Sequence, residues 1–236
     1  MRQNGRRPDE MRPIEFLRRF NDRPAGCVLV SFGRTRILCT AVVEDGVPPF
    51  LAGGAQGWLT AEYSMLPGAT ERRKAREGRT GKPDSRSLEI SRLIGRSLRT
   101  VVDLKAFRDK TIWLDCDVLQ ADGGTRTAAI SGAYVALLDA IDGMRSRPQG
   151  KPVTAGLAAV SVGVVGGRAV LDLDYQEDSK AQVDLNVIMT SAGRFVEIQG
   201  TAETEPFDDA QLQQMLVLAR SGITAIQAAQ ESARAT

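Results

Sequence analysis

The chain has 236 residues and not one of them is histidine. That absence removes Ser-His-Asp and Cys-His nucleophilic machinery, imidazole bases and most catalytic zinc sites together. Any chemistry must therefore fall to Asp, Glu, Arg, Lys, backbone dipoles or a hard metal ion. Cysteine is scarce: Cys27, Cys39 and Cys116 are odd in number, isolated, and set in apolar strand-like runs. They read as small core residues in a reducing compartment, not as a disulfide framework. No apolar run approaches the roughly 20 residues of a membrane span. The opening MRQNGRRPDEMRPI lacks the hydrophobic stretch of a signal peptide. The sequence thus reads as cytoplasmic, with no membrane partner. Net charge is only +2, so no global field demands a nucleic-acid partner and the local distribution must decide.

What is present suffices for a full core. Hydrophobic residues make up 42% of the chain, which suits a single domain over residues 1–236. Residues 25–32 and 36–43 read as two strands joined around Gly33, and 58–66 as a further strand. Helical spacing follows at Ile90, Leu93, Ile94 and Leu98, with Asp84 or Ser85 as its cap. Two more hairpins turn at Gly166-Gly167 and at Ser191-Ala192-Gly193. Asp208 caps a last helix through Leu212, Met215, Leu216 and Ala219, which continues or kinks at Gly222. Hairpins with separated helical blocks predict an α+β protein, mixed β-sheets packed on helices.

Three constellations carry chemistry. The first is LQADGGTRTAAISGAYVALLDAI (119–141). The run TIWLDCDVL before it reads as a strand, and from Thr127 the spacing of Ile130, Tyr134, Leu137, Leu138 and Ile141 predicts an amphipathic helix. Gly123 and Gly124 sit at the junction, where backbone N–H groups lack intrahelical partners and the helix dipole adds positive charge. Bare backbone plus Arg126 suits a phosphate, although a plain connector would use similar residues. The second is the loop TERRKAREGRTGKPDSR (70–86), with seven cations and three acids. It reads either as a hydrated charge run or as a polyanion contact. Arg86, at the start of the next helix, differs from the rest because it could join a second helix N-terminus around one anion. No aromatic interleaves with this loop, so in any RNA contact sequence-tolerant backbone contacts, not base stacking, would dominate.

The third constellation is LDLDYQEDSKAQVDLNVIM (171–189). Asp172 and Asp174 alternate with apolar residues like the wet face of a strand. Asp178 ends that strand. Asp184 looks away from the apolar face shared by Val183, Leu185 and Val187, beside Asn186. A turn between Asp178 and Asp184 could bring them to one rim, as a magnesium site or an acid/base pair needs; ordinary surface aspartates would show the same spacing.

Taken together, AQGWLTAEYSMLPGAT, SLEISRLIGRSLR, LDCDVLQADGGTRTAAISGAYVAL, DLDYQEDSKAQVDLNVIMT and VEIQGTAE closely resemble the bacterial ribonuclease PH family, in order and from about residue 2 to about residue 230. The resemblance implies a fold like domain 2 of ribosomal protein S5. It implies a phosphate-dependent 3′-to-5′ exoribonuclease that trims transfer RNA precursors, and possibly ribosomal RNA, releases nucleoside diphosphates and can run in reverse as a nucleotidyltransferase. By residue, it implies inorganic phosphate at Arg86, Gly124, Thr125 and Arg126, and catalysis with magnesium at Asp178 and Asp184. It further implies RNA and subunit contacts at Arg72, Arg73 and Arg76, in a homohexameric ring built as a trimer of dimers. A non-catalytic RNA-binding ring subunit of the same fold is the alternative. Gly68 departs from the pattern, standing where many relatives carry an arginine.

Overall fold

A computed structural model of the chain describes residues 2, 4–76, 84–144, 148 and 150–235. Period-2 apolar patterning builds the first sheet. Its strands are β1 (Ile14–Arg18), β2 (Gly26–Phe32), β3 (Thr35–Asp45), β4 (Trp58–Met65) and β5 (Lys110–Gln120), in the order β1-β2-β3-β5-β4. All neighbours are antiparallel except β4 and β5, which run parallel. A parallel pair needs a crossover, and helix α1 (Ser85–Arg99) lies within that connection. The predicted cysteines are all buried, on β2, β3 and β5. The second sheet is antiparallel, ordered β7-β6-β8-β9, with β6 at Leu157–Val165, β7 at Arg168–Leu171, β8 at Val183–Thr190 and β9 at Phe195–Ala202.

Helix α2 (Thr125–Asp142) lies between the sheets, against β2 and β3 on one side and β6 on the other. It is not the amphipathic helix its apolar spacing predicts: fourteen of its eighteen residues are buried. A helix covered on both sides has no wet face to keep polar, so the positions between its large residues are Ala, Gly, Ser and Thr. At Gly132 a Cβ would come within 2.6 Å of Val30 and 2.8 Å of Cys39, so only glycine lets helix and sheet approach this closely. One hydrophobic core runs through both sheets and α2. Helix α4 (Asp209–Ala235) packs across β6, β7 and β1. Asp208 does cap it, accepting from Gln211 N at 2.8 Å, and the helix continues through Gly222.

Two aspartates depart from the sequence reading. Strand β7 ends at Leu171, and Asp172 is 1% exposed with φ of 55°. It faces no solvent; it faces Arg12. The Arg12 guanidinium forks onto it, Nε at 2.9 Å and Nη2 at 2.7 Å. Burial alone would raise the Asp172 carboxyl, but the Arg12 hydrogen bonds and charge win and hold it below its ordinary range. Asp174 instead caps a short helix, α3 (Tyr175–Asp178), in a reciprocal capping box with Glu177. Arg2 clasps that Glu177 through Nε and Nη2, and Arg6 bridges Asp172 and Glu177. Arg2 and Arg6 therefore tie α3 to the body beside the Arg12–Asp172 pair. Asp172→Ala leaves Arg12 buried without its partner. We expect a loss of about 3–5 kcal/mol, read as a lower urea midpoint, whereas a surface aspartate would cost almost nothing.

Candidate active site

The strand-to-helix junction predicted as a phosphate seat is built from β5, the Gly123-Gly124 turn and the first residues of α2. Both glycines are left-handed, with φ of 78° and 66°. Gly124 is the N-cap, and no side chain caps the helix, so the first N–H groups of α2 keep their dipole for a ligand. Gly123 has a role the sequence did not reveal. A Cβ there would lie 2.6 Å from the Leu173 carbonyl oxygen and 2.8 Å from the Tyr175 nitrogen. Its bareness admits the backbone of the acidic segment, not the anion.

That approach gathers most of the predicted residues around one cavity of about 990 Å³, lined among others by Arg72, Arg73, Arg86, Gly124, Thr125 and Asp178. Arg76 is exposed and does not line it. Of the basic loop, Glu77, Arg79 and Lys82 lie outside the described residues. Arg126 and Asp184 stand outside the cavity lining, yet Asp178 ties both to it electrostatically. Burial raises the Asp178 carboxyl, and the charges of Arg86 and Arg126 pull it down. Asp178 sits at the end of α3, not at a strand end. The spacing Asp174-x-x-Glu177 was the available signal, since it is a capping box.

Asp184 lies on β8, where its neighbour Asn186 donates to it at 3.4 Å. Burial first, then the charge of Asp178, pushes its carboxyl up to about 6 from an ordinary 3.8. Its Oδ1 is buried and has no hydrogen-bond partner. Two neighbouring carboxylates, one with an unsatisfied oxygen, match the way magnesium is held by one or two carboxylates plus substrate phosphate. Three or more metal-binding side chains do not cluster anywhere among the described residues.

Sequence reasoning missed the residues that hold the anion side. Arg126 Nη1 donates to Gln199 Oε1 at 2.5 Å and lies 3.6 Å from Glu89 Oε1. Gln199 Nε2 in turn donates to Glu89 at 3.2 Å. Gln199 is paired in register with Asn186, so one ladder orients both Arg126 and Asp184. Tyr63, 3% exposed on β4, donates its hydroxyl to Thr125 Oγ1 at 2.9 Å. Nothing in local patterning marks these contacts, which join residues 62 to 110 positions apart.

Comparison with known proteins assigns the family. Models of the 3′ exoribonuclease family match in two parts, domain 1 over residues 10–141 and domain 2 over residues 157–222. The chain belongs to the 3′ exoribonuclease family. Within that family, a protein named ribonuclease PH from Corynebacterium glutamicum (strain R) is 57% identical over 232 residues, 98% of this chain and 95% of the relative. Solved relatives share the fold at lower identity. Rice Rrp46 superposes with a TM-score of 0.78 at 17% identity, covering 99% of this chain and 98% of its own. An Archaeoglobus fulgidus exosome, described as having RNA bound to the active site, reaches 0.81 at 21%, covering 96% and 91%.

Gly68, the family departure, lines the same cavity, and a Cβ there would meet nothing within 4 Å. Its φ is not positive, so a side chain fits without strain. Gly68→Arg is expected to lower the RNA KM several-fold at low salt and to steepen its salt dependence, because one more phosphate contact releases one more counterion. An RNA KM equal to the parent's at every salt concentration would argue that this wall never meets the RNA backbone.

Proposed function

We propose that the chain is a phosphorolytic 3′-to-5′ exoribonuclease, a transfer RNA nucleotidyltransferase, whose reaction takes place where the Gly123-Gly124 turn meets the Asp178–Asp184 pair. The observation that carries the site assignment is that Arg86, Gly124, Thr125 and Asp178 line one cavity, with Arg126 and Asp184, outside that lining, acting electrostatically on Asp178 or under its charge. Phosphorolysis must bring a phosphate dianion onto an anionic phosphodiester. Two unit charges about 4 Å apart repel by roughly 4 kcal/mol at an effective dielectric near 20, about three powers of ten in rate. Arg86, Arg126, the Thr125 hydroxyl and the α2 amides bind and aim the incoming phosphate. Its oxygen attacks the terminal phosphorus. The bond to the penultimate ribose 3′-oxygen breaks, and the terminal nucleotide leaves as a diphosphate. In the alternative where it holds no metal, Asp184, its carboxyl raised to about 6, supplies the proton that the departing 3′-oxygen takes up. Magnesium, held by Asp178 and Asp184, would neutralise charge on the scissile phosphate. No covalent intermediate is needed, which suits a chain without histidine.

Arg72, Arg73 and Arg76 guide the precursor 3′ end as sequence-tolerant backbone contacts. The whole chain acts as one catalytic unit in a cytoplasmic homohexameric ring, a trimer of dimers. No helix of the described residues is long and apolar enough to cross a membrane. A non-catalytic ring subunit would have no use for two phosphate arginines facing a desolvated acid pair. The deciding experiment incubates a transfer RNA precursor with and without inorganic phosphate. Nucleoside diphosphates that appear only with phosphate support the reading. Monophosphates would mean hydrolysis, and no release at all would favour the inert subunit.

A further inference from the structure

Tyr175 is 57% exposed and lines the same cavity as Arg86 and Asp178. It is the cavity's only aromatic residue among those described. The chain's other two tyrosines are buried, with their hydroxyls bonded, Tyr63 to Thr125 and Tyr134 to the Ala155 carbonyl. Of three further exposed rings, Phe50 stands edge-on to Trp58, Phe195 lies under Arg220, and Phe20 does not line this cavity. The Tyr175 side chain makes no hydrogen bond, ring pair or cation contact among the described residues. A large apolar face is thus left wet at the mouth of a polar site.

The backbone beneath that ring is fixed. Tyr175 is the first residue of α3, behind the Asp174–Glu177 capping box. Its nitrogen is wedged against Gly123, where a Cβ would come within 2.8 Å. Asp178 lies three residues on, which puts the two side chains on one face of the helix turn, about 5–6 Å apart at Cβ. That spacing is about the reach from a nucleotide's phosphate to its base. The lining of the same cavity also carries Arg34, Arg72 and Arg73. Arg34 is held there by Asp122 at 3.1 Å. A strand entering this cavity finds cations for its phosphates and one ring for a base.

We infer that Tyr175 is a stacking platform for an unpaired nucleobase beside the scissile bond of the RNA 3′ end. Every base has a π-face, so the contact is tolerant of sequence. It also gives α3 a second function: one turn carries both an acid of the site and a base-holding ring. The sparse aromatic content and the aromatic-free basic loop agree with a single stack at the reaction centre and charge contacts elsewhere. The inference rests on the exoribonuclease reading.

The test measures phosphorolysis by the intact oligomer at saturating phosphate. One RNA has a single-stranded 3′ tail; the other is the same RNA made abasic at its last two positions. Tyr175→Ala is expected to raise the KM for the normal RNA about tenfold and to leave the phosphate KM and the melting temperature unchanged. Tyr175→Phe, which keeps the ring, is expected within twofold of the parent. On abasic RNA, parent and Tyr175→Ala become equal, because there is nothing left to stack. The inference is overturned by an unchanged RNA KM in Tyr175→Ala, by an equal rise in the phosphate KM, or by a difference that persists on abasic RNA. If the parent itself releases monophosphates, the phosphorolytic reading fails separately, and the same pair of RNAs still reports whether a base rests on Tyr175.

Discussion

Asp184→Asn protein is expected to melt above the parent in chelator at pH 7.5 and, with magnesium restored, to release no nucleoside diphosphate from RNA. The first half follows from linkage. Burial and Asp178 hold the Asp184 carboxyl near 6 in the folded chain, against an ordinary 3.8. Between those values the folded state binds more protons than the unfolded state, so the parent loses stability as pH rises through that window. Above pH 6 the penalty is fully present, on the order of 2–3 kcal/mol. Asparagine never ionises and escapes it. At pH 4 the two proteins should melt together. Magnesium should raise the parent's melting temperature at pH 7.5 and leave the variant unmoved. A variant no more stable than the parent at pH 7.5 would mean that Asp184 is not desolvated, and near-normal trimming would remove it from the reaction.

Arg126→Ala should weaken phosphate and spare RNA. Charge-assisted hydrogen bonds contribute about 1.5–3 kcal/mol each, so the phosphate KM should rise between ten- and a hundredfold with RNA affinity intact. Arg126→Lys should recover only part of the loss, because an ammonium offers a point charge in place of a planar fork. The substitution carries a second signature. Arg126 lowers the Asp184 carboxyl, so its removal should shift that group's titration upward and move the pH–rate profile with it. Equal losses of phosphate and RNA affinity would falsify the assignment and make Arg126 an RNA contact.

How much was legible depended on how local each signal is. Period-2 alternation and paired glycines are written within a few residues, and the hairpins β2–β3, β6–β7 and β8–β9 follow them closely. The glycine-rich junction before α2 is just as local. The misreadings involve distant partners. DLDY alternates like a half-wet strand, yet Asp172 is buried, because its guanidinium partner stands 160 residues earlier in the chain. Helix α2 shows an apolar stripe, but a second sheet covers its other side, and no pattern internal to a helix reports what lies across from it. Tyr63, Glu89 and Gln199 were invisible for the same reason. Each is an ordinary polar residue in an ordinary element, given meaning only by what the fold sets opposite.

The clasp of Arg2 on Glu177 has a consequence for the order in which the protein is made. Arg2 closes onto Glu177 across 175 positions. Ribosomes add roughly 5–20 residues per second, so the first arginine emerges roughly ten to thirty seconds before its carboxylate exists. Arg86 and Arg126 are made within that interval, ahead of the acid wall that faces them. The acid wall can therefore close onto Arg2 only once the chain has been made through Glu177.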